Sequence, residues 1–125
     1  MILDASAILA VIHQESGYEK ITPDSLARAV ASTVNLAEAQ SKLVLLGWHP
    51  EQAWADAINL ADEIIPFSTE HAEIAGNLVA KTRQLGLSLG DRACLALALD
   101  LKAPVYTADR SWKNLELGLR IHVIR

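Results

Sequence analysis

Five short apolar runs, each separated from the next by a long stretch that contains helical patterning, constrain this chain more than any other feature. The runs are Met1–Leu3, Ala29–Ala31, Glu63–Phe67, Pro104–Tyr106 and Ile121–Ile124. The first, fourth and fifth are rich in Val, Ile and Leu, as strands buried on both faces require. Helical patterns lie between them: Ala5–Val11, Leu36–Leu46, "HPEQAWADAINLA" with Pro50 in its first turn, Thr69 to a Gly86 stop, and "SLGDRACLALALDLKA" ended by Pro104. Strands that alternate with helices predict a parallel sheet covered on both faces. With 125 residues the chain is predicted to form a single domain, residues 1–125.

That architecture has a chemical consequence. A residue just past a parallel strand lies at the carboxyl edge of the sheet, and so does the N-terminus of the helix leading into the next strand. Asp4 follows the first run and Asp109 the fourth. Glu38 lies early in the helix after the second run, and Asp91 near the start of the helix that leads into "PVYTAD". All four carboxylates are therefore predicted at the edge where open α/β sheets bind ligands.

Each acid also has a plain structural reading. Asp4 suits the N-cap of the first helix, Asp109 a cap on the turn "RSWKNL", and Asn35-x-x-Glu38 and Ser88-x-x-Asp91 both resemble capping boxes. Taken together, four caps at one edge would make a self-repelling acidic cluster unless protons or a cation neutralise it. Carboxylate-only ligation favours a hard divalent ion, Mg²⁺ or Mn²⁺. Such ions activate water and relieve phosphate charge, which is what phosphodiester cleavage needs. They would also let a chain of net charge −4 hold a polyanion. Arg92, Arg110, Lys113 and Lys42 are candidate phosphate contacts near the edge, against a solvated-surface reading for each.

Other features are bland. The four histidines share no metal-ligand spacing. Cys94, the one cysteine, excludes a disulfide framework, suits a reducing cytosol, and reads as core filler within "ACLALAL". The opening run is broken at once by Asp4 and does not read as a signal peptide, and no apolar run approaches a membrane span. Leu43, Leu45, Leu46, Trp48, Trp54, Ile58 and Leu60 are more apolar positions than one buried stripe uses, and are expected to include a protein-binding groove.

The segments "MILDASAILA", "ASTVNLAEAQ", "LSLGDRACLALAL" and "VYTADRSW", in this order across the chain, resemble the four signature segments of the PIN-domain family, most closely its small VapC-type toxins. The resemblance implies a three-layer α/β/α sandwich with a five-stranded parallel sheet. It implies a divalent-metal-dependent endoribonuclease, usually dimeric and usually inhibited by a cognate antitoxin. By motif, Asp4, Glu38, Asp91 and Asp109 take the acidic quartet; Asp4, Asp91 and Asp109 are the expected ligands, with Glu38 bridging an ion or orienting water. Ser6 and Thr107 take the hydroxyl positions beside the first and last Asp, as donors that would fix carboxylate oxygens. Arg92, directly after Asp91, departs from the small or apolar residue many relatives carry.

Two other readings compete. One is a PIN-fold RNA- or protein-binding module without catalysis. The other is a phosphotransfer protein of receiver or phosphatase type, which needs a second acid near the first strand end where this chain has Asp4-Ala5-Ser6. No Gly-rich phosphate loop is present, since "GLSLGD" lacks the Lys-Ser/Thr of a P-loop.

Overall fold

The computed structural model describes residues Met1–Arg125. Five strands, β1 (Ile2–Leu3), β2 (Val30–Ser32), β3 (Glu63–Ile65), β4 (Val105–Thr107) and β5 (Ile121–Val123), form one sheet in the order β3-β2-β1-β4-β5. Every pairing is parallel, as the alternation of strands and helices predicts. Seven helices connect them: α1 (Ala5–His13), α2 (Pro23–Leu26), α3 (Thr33–Leu45), α4 (Pro50–Leu60), α5 (Thr69–Asn77), α6 (Val79–Thr82) and α7 (Leu89–Leu101).

The alternation of side chains along a strand builds the layers. Leu3 faces a core shared with α1, α3 and α4, through residues such as Ile8, Leu36, Leu43 and Ala57. Its neighbour Ile2 faces the opposite core, with Val105, Leu78, Trp112 and the α7 residues Cys94, Leu95 and Leu97. Ile2 and Leu3 are both fully buried, which stabilises the fold by roughly 1.5–3 kcal/mol for each side chain. The result is the three-layer α/β/α sandwich. None of its helices is long and apolar enough to cross a membrane.

Several boundaries differ from the sequence reading, each for a local reason. α3 starts at Thr33 rather than Leu36, because the Ser32 hydroxyl caps it by accepting from the Val34 N–H at 3.2 Å. β2 accordingly runs one residue later than expected. β3 stops at Ile65 because Pro66 has no N–H for the ladder. The Phe67 N–H leaves the sheet for the Thr33 hydroxyl, 3.0 Å away. The helix expected from Thr69 to Gly86 is divided at Leu78 into α5, α6 and a 3₁₀ turn, Arg83–Leu85. Thr82, fully buried, turns its hydroxyl back onto the Leu78 carbonyl at 2.8 Å. α2 and a 3₁₀ turn at Tyr18–Lys20 are too short for periodicity to reveal.

Gly17 joins the loop after α1 to the C-terminal strand region. Its φ is +90°, and a Cβ there would overlap the Ile124 carbonyl. Glu15 and Arg125 pair alongside.

Candidate active site

The sheet order places β1 and β4 side by side, yet β1 connects onward to β2 on its other flank. The strand order reverses at this pair, so the crevice beyond the carboxyl ends of β1 and β4 is the expected ligand position. Asp4 stands immediately after β1, and its N–H donates to the Tyr106 carbonyl of β4 at 3.1 Å. Thr107 is the last residue of β4, and Asp109 follows two residues on.

Asp4 is 3 % exposed and occupies the N-cap position of α1, but its side chain makes no capping bond. Its Oδ2 instead accepts from the Ser6 hydroxyl at 2.6 Å and the Thr107 hydroxyl at 3.0 Å. Ser6 in turn accepts from the Ala108 N–H at 2.9 Å, and Thr107 from the Asp109 N–H at 3.1 Å. The two strand ends are thus laced through a pair of hydroxyls. Asp4 Oδ1 is buried with no partner. Burial pushes the Asp4 carboxyl above the ordinary carboxylate range, the Ser6 bond opposes this, and the charge of Asp91 pushes it further up.

Glu38 lies in the first half of α3 and its Oε1 is also buried without a partner. Burial raises its proton affinity, the Asp4 and Asp91 charges raise it further, and Lys42 one helical turn on lowers it. Asn35 does not cap α3. It is fully buried inside the helix, and its Nδ2 donates to the Gly90 carbonyl of α7 at 3.0 Å. The sequence marks Asn35 only as a capping candidate and does not mark Gly90 at all. The Asn35-x-x-Glu38 and Gly90-Asp91 spacings hold the signal, but the reach of Asn35 from α3 to the Gly90 carbonyl of α7 is not visible in sequence.

Asp91 and Asp109 carry the capping roles weighed for them. Asp91 Oδ2 accepts from the Ser88 N–H at 2.9 Å while its own N–H donates to the Ser88 hydroxyl at 3.2 Å, a complete capping box. Asp109 Oδ1 accepts from the Ser111 N–H at 2.9 Å and the Ser111 hydroxyl at 2.8 Å. The charge of Asp91 acts on both Asp4 and Glu38, that of Asp4 acts on Glu38, and the charges of all three add to the burial that pushes the Cys94 thiol well up. Asp109 is tied to them through Thr107. With Asp91 and Asp109 turned to their caps, no three acidic, His or Cys side chains are gathered closely enough to hold an ion. The donor chemistry nevertheless fits one. The site's donors are oxygens, and two buried carboxylate oxygens, Asp4 Oδ1 and Glu38 Oε1, lack a partner, as does the amide oxygen of Asn35.

The basic candidates separate. Arg92 points away from the carboxylates: its Nη1 donates to the Ala75 carbonyl of α5 at 2.8 Å. Arg110 and Lys113 are exposed on the 3₁₀ turn after Asp109. Lys42 lines a polar cavity of about 330 Å³ with Ser6, Asp109, Glu15 and Arg125. A second cavity, about 300 Å³, shares Leu9, Glu15 and Lys42 with the first and is bounded by His13, Leu45 and Leu46. Leu45 and Leu46 are 86 % and 67 % exposed, whereas Leu43 is core. His71 belongs to the fold, its Nε2 lying 2.8 Å from Asp100 Oδ2 between α5 and α7.

The PIN domain family model matches residues 1–117. A search of curated proteins finds no sequence match. Among solved structures, the chain is similar to one in VapBC2 of Rickettsia felis bound to a promoter DNA fragment (24 % identity, 99 % of this chain and 98 % of that chain, TM-score 0.73). It is also similar to VapC20 of Mycobacterium tuberculosis, a sarcin–ricin-loop-cleaving toxin (16 % identity, 95 % and 98 %, TM-score 0.74). A chain of VapBC-5 from the same organism, a toxin–antitoxin system, matches at 25 % identity over 99 % and 96 % with a TM-score of 0.66. With the family model matched from the first strand through the turn after β4, the chain belongs to the PIN domain family.

Proposed function

We propose that this protein is a divalent-metal-dependent endoribonuclease, the toxin half of a type II toxin–antitoxin pair acting in the cytoplasm. The observation that carries the reading is the pair of buried, unpartnered carboxylate oxygens at the carboxyl edge of the sheet, Asp4 Oδ1 and Glu38 Oε1, with the charge of Asp91 acting on both groups. Membership of the PIN family and the likeness to toxin chains support it.

Asp4, Asp91 and Asp109 would hold the ion, Mg²⁺ or Mn²⁺. When bound, such an ion supplies an activated water and neutralises charge on the phosphate. The chain's own residues do the rest. Ser6 and Thr107 fix Oδ2 of Asp4, so that Oδ1 is presented in one orientation. Glu38, its proton affinity raised by burial and by the charges of Asp4 and Asp91, is suited to take a proton at its carboxylate. Lys42, which lines the polar cavity, and Arg110 and Lys113, exposed on the turn after Asp109, would meet RNA phosphates. Arg92 is occupied by α5 and is not assigned that role.

The exposed Leu45 and Leu46, beside His13 and Lys42, form the face for an amphipathic antitoxin helix, and the same region offers a surface for a homodimer. A receiver-type phosphotransfer protein is disfavoured by the strand order, which is not the 2-1-3-4-5 of that fold. A phosphatase would need a second acid where Ser6 instead donates to Asp4.

The test is incubation of the purified chain with labelled total RNA, and with single- and double-stranded DNA, in Mg²⁺, Mn²⁺ or chelator. Metal-dependent internal cleavage of RNA is expected. RNA binding without cleavage under every condition would instead favour the silent binding module, in which Asp91 and Asp109 act only as caps.

A further inference from the structure

We propose that Gly90 is a positioning residue, whose missing side chain is the space in which the Glu38 carboxylate sits. Glycine in a helix costs about 1 kcal/mol relative to alanine, so its presence in the first turn of α7 needs a reason. The backbone gives none, since Gly90 is not in the left-handed region, unlike Gly17. The surroundings do. The three atoms nearest a Cβ at position 90 all belong to the Glu38 carboxyl group: it would overlap Oε1 and Cδ and lie 2.9 Å from Oε2.

Asn35 sets the depth of that space. Its fully buried Nδ2 donates to the Gly90 carbonyl at 3.0 Å, pinning the first turn of α7 against α3 one turn before Glu38. Glu38 Oε1 is thereby laid against α7 with no hydrogen-bond partner, within the fields of Asp4 and Asp91. A carboxylate would not choose this place on its own. It is held there by the geometry of α3 and by the absence of a side chain opposite. A methyl group at position 90 would displace the flexible end of Glu38 and leave the backbone of both helices in place.

This deepens the nuclease reading and depends on it for the Mn²⁺ affinity and the cleavage assay, while the Glu38 resonance is independent of it. The experiment compares the full chain with Gly90→Ala, Glu38→Asp and the double variant. Three quantities are read: the carboxyl ¹³C resonance of residue 38 without metal, Mn²⁺ affinity by calorimetry, and RNA cleavage. Gly90→Ala is expected to keep its melting temperature and shift the Glu38 resonance. It should lower Mn²⁺ affinity and cleavage by about tenfold, as loss of a positioned group does. Asp is shorter by one carbon–carbon bond, about 1.5 Å, and clears the added methyl. In the Glu38→Asp background, Gly90→Ala should therefore change either quantity by less than about threefold, the signature of coupled sites.

An unchanged Glu38 resonance in folded Gly90→Ala would overturn the proposal. So would equal losses in both backgrounds, which would mean that the methyl acts elsewhere. If Gly90→Ala does not fold, the double variant decides: folding restored supports the steric account, and failure in both contradicts it. If the wild type binds no Mn²⁺ and cleaves no RNA, the functional reading fails, while the resonance still tests the placement of Glu38.

Discussion

The hydroxyl of Thr107 donates to Oδ2 of Asp4 at 3.0 Å across 103 residues of sequence, joining the ends of two adjacent parallel strands. Ser6 donates to the same oxygen at 2.6 Å and lies 3.2 Å from the Thr107 hydroxyl. The triangle commits one carboxylate oxygen to the protein and leaves the other free, which is how a buried acid can be both structurally anchored and chemically available.

Removing a corner of this triangle should cost stability as well as activity. Ser6→Ala takes away the bond to Asp4 and leaves the Ala108 N–H without its acceptor. A loss of about 1–3 kcal/mol in urea unfolding is expected, the cost of stranding buried polar groups. Thr107→Ser keeps the hydroxyl and should lose less than Thr107→Val. Equal stability of Ser6→Ala and wild type would show that the triangle does not anchor Asp4.

The pH dependence of stability follows from the two raised carboxyls. Asp4 and Glu38 have higher proton affinity folded than unfolded, mainly through burial. Above their unfolded values, about 3.9 and 4.3, the native state binds more protons than the unfolded chain, so their contribution to stability falls as pH rises through the folded values. Without metal, the melting temperature should therefore fall as pH rises above the unfolded carboxylate values, and Glu38→Gln should flatten the decline. A decline of the same slope in Glu38→Gln would remove Glu38 from the account.

The four acids should also divide by stability. Glu38→Gln removes a charge crowded by Asp4 and Asp91 and should raise the metal-free melting temperature. Asp91→Ala breaks the capping box with Ser88 and should lower stability by about 1 kcal/mol. Relief of repulsion does not decide the sign for Asp91 and Asp109, because each has its own backbone partner. Calorimetric scans of the two variants would show opposite shifts; shifts of the same sign would contradict the division.

Much of this arrangement was legible in the sequence, and the part that was not has identifiable causes. β1 and α7 announce themselves, the first as a Val/Ile/Leu-type run followed by Asp4 and the second by Ser88, Asp91 and the Pro104 stop. The common edge of Asp4, Glu38, Asp91 and Asp109 follows from parallel topology alone. Asn35 was misread because Asn before an apolar periodic segment looks like an N-cap, whereas Ser32 three residues earlier takes that role. Arg92 reads in sequence as a candidate phosphate contact or a solvated charge because a sequence does not show that the Ala75 carbonyl of α5 lies within its reach. The division of the segment from Thr69 to Gly86 depends on a buried threonine bonding back to its own helix, which periodicity cannot register.

The apolar residues on α3 and α4 should separate in the same way. Leu46, 67 % exposed, and Trp54, 40 % exposed, are expected to tolerate Leu46→Glu and Trp54→Ala within about 0.5 kcal/mol, as surface positions do. Leu43→Ala, at a fully buried position, should cost about 2–5 kcal/mol. Antitoxin affinity and oligomeric state, measured on the two surface variants, should change for at least one of them. If both quantities stay within assay error, the exposed leucines do not form the partner face.

The most direct test of the central claim is RNA cleavage by wild type and Asp4→Asn, purified and assayed side by side in Mn²⁺. Asn preserves the size of the side chain and hydrogen bonding to Ser6 and Thr107 while removing the charge that the β1/β4 switch point is built around. Wild type is expected to cut RNA internally and to stop when chelator is added, and folded Asp4→Asn to retain less than about one hundredth of that rate, as loss of a metal-site carboxylate implies. Cleavage by Asp4→Asn at the wild-type rate, or cleavage by wild type that chelator does not stop, would place the activity outside this site.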